Sequence, residues 1–132
     1  MQGIKTGLID VIVSDHIPED EESKRLPFAQ AAIGAIGVET LLSLALELYH
    51  NESLPLNKII ECLTINPARI LNIEKGTLKK GSDADICVID LNKPWVVKAE
   101  NLKSKSKNTA IEDKKLQGKV LMTFLKGELA FK

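Results

Sequence analysis

Asp15 is the residue whose type and position best suit it for chemistry. It follows directly on Leu8–Ser14, a run rich in β-branched residues and apolar at nearly every position. That is the pattern of a strand buried on both faces, as in a parallel sheet. A carboxylate just past such a strand sits at the C-terminal lip of the sheet, where α/β folds gather catalytic and metal-binding groups. There it could ligate a divalent metal and accept a proton from metal-bound water. Spacing alone leaves a second reading open, in which Asp15 caps the loop that follows.

His16 adjoins it, but side chains alternate along a strand, so the two should not point the same way. The pair is therefore no metal clamp by itself, and His16 is expected to pack or to order a loop. His50 falls in the last turn of a predicted helix, where a histidine commonly meets the terminal carbonyls. Neither HxH nor HExxH occurs, and two histidines cannot complete a zinc site within this chain. Ile33-Gly34-Ala35-Ile36-Gly37 is not a dinucleotide fingerprint. Its glycines could let backbone approach a small ligand, or could simply form a flexible lead into a helix.

The elements that must position these residues fall into two groups. Past Asp15, Pro18 stops any continuing ladder. A loop of roughly twenty residues then runs to Gly37, long enough to carry function. Val38–His50 is helical, with Leu41, Leu44, Ala45 and Leu48 at helical spacing and Asn51 closing it. Asn57–Thr64 reads as a second helix capped by Asn57, with Ile59, Ile60 and Leu63 facing inward. Asn66-Pro67 opens a short third one through Leu71. Beyond Gly76 the period changes. Leu78, Ala84–Ile89, Trp95–Val97, Val120–Leu125 and Glu128–Phe131 read as short strands, separated by Gly81-Ser82-Asp83, Asn92-Lys93-Pro94 and Lys126-Gly127. The last separator could be a tight hairpin. The chain divides into an α/β part, 1–72, and a β part, 73–132.

Composition excludes several classes. With 132 residues, 44% hydrophobic and 27% charged, the chain is neither disordered nor collagenous. Eighteen basic and eighteen acidic residues give a net charge of zero and no footprint for nucleic acid. Charge is uneven, however: residues 1–50 carry three bases against eight acids, four of them in Glu19-Asp20-Glu21-Glu22. That run, and the lysine-rich Lys98–Lys107, read as solvated loops. Cys62 and Cys87 lack CxxC pairing and are expected to be buried thiols in a reducing compartment. The N-terminal apolar stretch is too short and too broken by charge for a membrane span or a leader. A cytoplasmic protein is expected.

Three stretches carry a resemblance. Asp10–Pro18 with Lys24–Leu42 resembles the last barrel strand, loop and helix of bacterial class I dihydroorotases. Asn66-Pro67-Ala68-Arg69-Ile70-Leu71, Gly76-Thr77-Leu78 and Gly81-Ser82-Asp83-Ala84-Asp85 are similar to the signature that follows in the cyclic amidohydrolases. Ser104–Thr109 and Leu116–Val120 resemble that family's closing segment. The GTL…GxxAD element is shared across amidohydrolases. The strand-to-helix stretch and the Asn-Thr tail point more narrowly to dihydroorotase, though allantoinases and dihydropyrimidinases share parts of them.

The resemblance implies an α/β fold: the C-terminal end of a metal-dependent hydrolase (β/α)8 barrel, followed by part of a small β-sandwich domain. It implies that Asp15 ligates zinc and is the general acid/base in reversible cyclisation of N-carbamoyl-L-aspartate to dihydroorotate. It places Ile33 and Gly34 where the family's backbone contacts the substrate ring. Family members usually carry a substrate-binding histidine four residues past the aspartate, and here that substrate-binding position is Glu19. A carboxylate there would repel an anionic substrate unless protonated or turned outward.

A complete barrel needs roughly 250 residues. The resemblance therefore implies the C-terminal third of a dihydroorotase, inactive by itself, with the other zinc ligands upstream. Exposed sheet edges would then favour pairing with another copy or a partner chain. Two rivals remain. One is a non-catalytic dihydroorotase-like scaffold supporting an aspartate transcarbamoylase, suggested by Glu19; the other is a related allantoinase or hydantoinase.

Overall fold

The computed structural model describes residues 1–132. A short helix α1 (Gln2–Lys5) leads into an extended segment that carries Asp15, and α2 (Glu21–Arg25) follows. Then come α3 (Leu41–His50), α4 (Leu56–Leu63) and α5 (Ile65–Ile70). The second half holds β1 (Ile86–Val96), a 3-10 turn at Ala99–Asn101, β2 (Lys115–Leu125) and β3 (Glu128–Phe131). The strands form one antiparallel sheet in the order β1-β2-β3. No helix is long and apolar enough to cross a membrane.

Several local expectations hold. The helix expected over 38–50 forms from Leu41, behind Thr40, whose hydroxyl donates to Gly37 O at 3.1 Å. Lys126 and Gly127 make the two-residue turn between β2 and β3, with φ of 50° and 85°. Both values suit the type I′ turn that a right-twisted hairpin requires.

Other expectations are corrected. Leu8–Ser14 is extended but pairs in no sheet, and Leu8 and Val13 are 83% and 71% exposed. A strand is made by its neighbours, and Leu8–Ser14 has no strand beside it, only isolated long-range bonds from Ile12 N to Cys62 O and from Asn66 Nδ2 to Asp10 O. The acidic run is not all loop: Asp20 caps α2, its Oδ1 accepting from Ser23 N at 2.8 Å, and Glu21 and Glu22 fill the first turn. That backbone N–H holds the Asp20 carboxyl below its ordinary value. α4 begins behind Pro55 rather than Asn57, because Pro ends the preceding extended segment with its φ already set. In α5 Thr64 stands at the N-cap position, and the Asn66 side chain instead donates to Asp10 O at 2.9 Å.

The strand half differs too. Leu78 lies outside the sheet and is 81% exposed. The two runs read around 84–97 fuse into the single strand β1. Asn92-Lys93-Pro94 is an irregularity inside it, where Asp90 Oδ1 accepts from Asn92 N and Lys93 N. A side chain that bonds its own following backbone replaces ladder bonds locally without ending the strand. Cys62 is buried as expected, but Cys87 is exposed on the uncovered sheet. The His50 Nε2 is buried with no hydrogen-bond partner, so it does not meet the helix-terminal carbonyls.

Only 14 of the 132 residues are buried, and nine of them form two clusters. Ile4, Ala45, Leu54, Ile59 and Cys62 form the first; Ile36, Val97, Leu102 and Leu116 form the second, with Leu44 and Trp95 against it. α3 serves both. It is fixed to the sheet by a polar node at Gly118, whose carbonyl accepts from Ser43 Oγ at 2.6 Å and Trp95 Nε1 at 3.1 Å.

A side chain at Gly118 would break this node. Its φ is +97°, and a Cβ would stand 2.4 Å from Cδ1 of the fully buried Leu46. Backbone strain and overpacking together predict that Gly118→Ala costs roughly 2–4 kcal/mol of stability. A denaturant midpoint equal to that of the wild type would refute this.

The accessible surface is 9334 Å². A compact monomer of this mass exposes roughly 6,900 Å². Large apolar side chains contribute to the exposed surface, Phe28 and Ile33 being 100% and 90% exposed.

Candidate active site

The extended segment turns sharply at Asp15, where φ is +46°. Asp and Asn tolerate this left-handed conformation better than most residues. Beyond the turn, the chain runs beside the 33–37 loop: His16 bridges Ala35, and Ile17 N donates to Ala35 O at 3.0 Å. On its other side that loop bridges Thr109 through Ile36, with Ile36 N donating to Asn108 O at 3.1 Å. Three segments far apart in sequence thus lie side by side.

Asp15, Ile33 and Gly34 line one concave surface of about 580 Å³, floored by side chains of α3 such as Leu41, Leu44 and Leu48. Asp15 is exposed, and its carboxylate has no hydrogen-bond partner within the chain. It therefore does not cap the following loop. The amides of Ile33 and Gly34 likewise donate to no protein acceptor. An unengaged carboxylate and two unengaged amides thus belong to residues lining one largely apolar hollow, the composition of a small-molecule site.

Gly34 is fixed from behind. Its carbonyl accepts from Lys24 Nζ at 2.9 Å and Asn108 Nδ2 at 3.0 Å. Its φ is +143°, and a Cβ there would meet Ile17 O and Cγ2 at 2.7 Å. Only glycine permits this approach. Lys24 and Asn108 were not singled out for the site from sequence. Asn108 lies in the Asn-Thr tail and Lys24 opens the Lys24–Leu42 stretch, but neither position signals contact with Gly34.

Glu19 lies elsewhere. It borders a separate polar hollow with Lys105, Ser106 and Asn108, and its backbone carbonyl accepts from Ser106 Oγ at 2.6 Å. The side chain stands apart from the surface that Asp15, Ile33 and Gly34 share. No three His, Cys, Asp or Glu side chains of the chain are grouped so that they could hold a metal ion. A zinc site takes four donors, three of them from protein even where water is the fourth. Asp15 alone does not make one.

The sequence profile of the amidohydrolase family matches residues 2–130, and the chain belongs to that family. Among its curated relatives, the dihydroorotase of Ehrlichia chaffeensis is 42% identical over 132 residues, which is 100% of this chain and 30% of that protein. The dihydroorotase of Aquifex aeolicus is 45% identical over 133 residues, again 100% of this chain and 31% of the relative. Of the solved structures, the L-hydantoinase (dihydropyrimidinase) of Arthrobacter aurescens superimposes with a TM-score of 0.90 at 31% identity, covering 98% of this chain and 30% of that one. The dihydropyrimidinase of Brevibacillus agri gives a TM-score of 0.93 at 22% identity, over 98% and 30%, a likeness of fold alone. The chain therefore spans about 30% of the length of the relatives it matches.

Proposed function

We propose that this chain is the C-terminal third of a zinc-dependent dihydroorotase. It would comprise the last strand and helices of a (β/α)8 barrel in 1–72 and part of a small β-sandwich domain in 73–132. The reaction is the reversible cyclisation of N-carbamoyl-L-aspartate to dihydroorotate, in de novo pyrimidine biosynthesis in the cytoplasm. The observation that carries this reading is the hollow lined together by Asp15, whose carboxylate is unengaged, and by Ile33 and Gly34, whose amides donate to nothing in the chain.

In the ring-opening direction water adds to the amide carbon and the C–N bond breaks. Asp15 takes the proton that the attacking water loses and delivers it to the departing nitrogen, so one group serves as base and then as acid. Ile33 and Gly34 donate their N–H groups to substrate oxygens, and the Lys24 and Asn108 bonds keep that stretch of backbone still. A zinc ion bound in the intact protein, with Asp15 among the groups that would hold it, would supply Lewis-acid polarisation of the carbonyl. Its remaining ligands come from residues outside this chain, with Asp15 as this chain's contribution. Glu19 stands at the family's substrate-binding histidine position, yet borders a different hollow, so it need not repel the substrate at Asp15.

A hydantoinase is the second reading, supported by the 31% identity and TM-score of 0.90 to the Arthrobacter enzyme. The deciding experiment assays the intact protein carrying this chain against dihydroorotate, hydantoin and allantoin with zinc present. Turnover of dihydroorotate at least tenfold above the others in kcat/KM is expected. Preference for hydantoin would move the assignment to the second reading. No turnover of any cyclic amide, with binding to an aspartate transcarbamoylase retained, would make the protein a scaffold. The free apolar surface suits assembly as a homo-oligomer or with such a partner.

A further inference from the structure

We infer that His16 is a positioning residue, whose ring locks the substrate-side loop against the turn that presents Asp15. This rests on the functional reading above for its consequence, but not for its geometry. His16 Nδ1 accepts from two consecutive backbone amides, Gly37 N at 3.1 Å and Val38 N at 3.3 Å. An Nδ1 that accepts in this way carries its ring proton on Nε2. The two donors lie twenty-one and twenty-two residues along the chain, immediately before α3. One side chain therefore ties the Asp15 turn to the end of the 33–37 loop and to the start of the helix that floors the hollow.

The lock answers a specific need. Asp15 holds a φ of +46°, a left-handed conformation that Asp tolerates better than most residues but that still costs a non-glycine residue some strain. On the C-terminal side of the turn the restraints are the Ile17 N to Ala35 O bond and the paired bonds to His16 Nδ1. Without the ring, Gly37 and Val38 lose their acceptor, and the loop is held to the Asp15 segment by a single backbone bond. The Asp15 turn is then held less firmly against the Ile33 and Gly34 backbone, which Lys24 and Asn108 keep in place. Because His16 reaches the loop and not the hollow, it touches no substrate. It acts on binding geometry through other groups.

The test uses His16→Ala, which removes the acceptor, and His16→Asn, whose Oδ1 stands near the position of the ring Nδ1. Amide hydrogen exchange of the 33–40 segment is measured in the intact protein, together with KM and kcat for dihydroorotate. In His16→Ala, exchange at Gly37 and Val38 should accelerate about tenfold and KM should rise by a similar factor, with kcat changed less. His16→Asn should restore both. Unchanged exchange in His16→Ala would overturn the lock. Faster exchange with unaltered KM, or no rescue by asparagine in a folded variant, would overturn the positioning role. If the wild-type protein turns over no cyclic amide, the functional reading fails, while the exchange measurement still decides the lock.

Discussion

Asp15→Asn should abolish turnover in the intact protein while leaving its fold unchanged, and the structure explains why the two effects separate. Removing a general acid/base commonly costs on the order of 10²–10⁴-fold in rate, and a loss in kcat of that size is expected with dihydroorotate as substrate. The fold has little reason to respond. Asp15 is exposed, its carboxylate bonds to nothing in the chain, and asparagine accepts the same φ of +46° as readily as aspartate. Thermal melting should therefore shift by no more than a degree or two. A variant that retains turnover would remove Asp15 from the mechanism. One that loses both activity and melting temperature would recast it as structural.

The second large effect concerns residues 1–132 on their own. They should associate, and with zinc added they should not turn over dihydroorotate. The surface of 9334 Å² exceeds that of a compact monomer by roughly 2,500 Å². A standard protein–protein interface buries about 800 Å² per partner, so the excess is some three times what one such contact requires. The exposed surface includes large apolar side chains, with Leu8, Phe28, Ile33 and Leu78 each more than four-fifths exposed. The backbone of Val11, Val13 and Ser14 adds amides that donate to nothing in the chain, which an added strand could satisfy. Light scattering after size exclusion should show a species larger than one chain, and a hydrophobic dye should bind strongly. A monodisperse monomer without dye binding would contradict this, and metal-dependent turnover by the lone chain would defeat the claim that other segments complete the site.

Local features were the most legible in the sequence. The leucine spacing of α3 and the Lys126-Gly127 hairpin turn are decided within a few residues of where they stand, by helical period and by the φ a turn demands. Where the structure departs from a local signal, either a stronger neighbouring signal or a distant contact prevails. Asn57 and Asn66 both look like helix caps, yet α4 starts behind Pro55, and Asn66 is drawn off to Asp10 O, fifty-six residues away in sequence. Asp90 takes up Asn92 and Lys93 and lets one strand run through what reads as a break.

By itself, the sequence determined which residue types stand at the ends of apolar runs, and hence that Asp15 is the group to watch, with Ile33-Gly34 as the backbone most able to approach a ligand. Only the tertiary structure decided what surrounds them. It brought Lys24 and Asn108 onto the Gly34 carbonyl, moved Glu19 to a separate hollow, and placed the His16 ring under Gly37 and Val38. It also left Leu8–Ser14 unpaired and Cys87 exposed. The reason is physical. Helical period and turn geometry are set by interactions between near neighbours, whereas sheet pairing, burial and convergence at a site require a second surface, which a run of residues cannot specify alone.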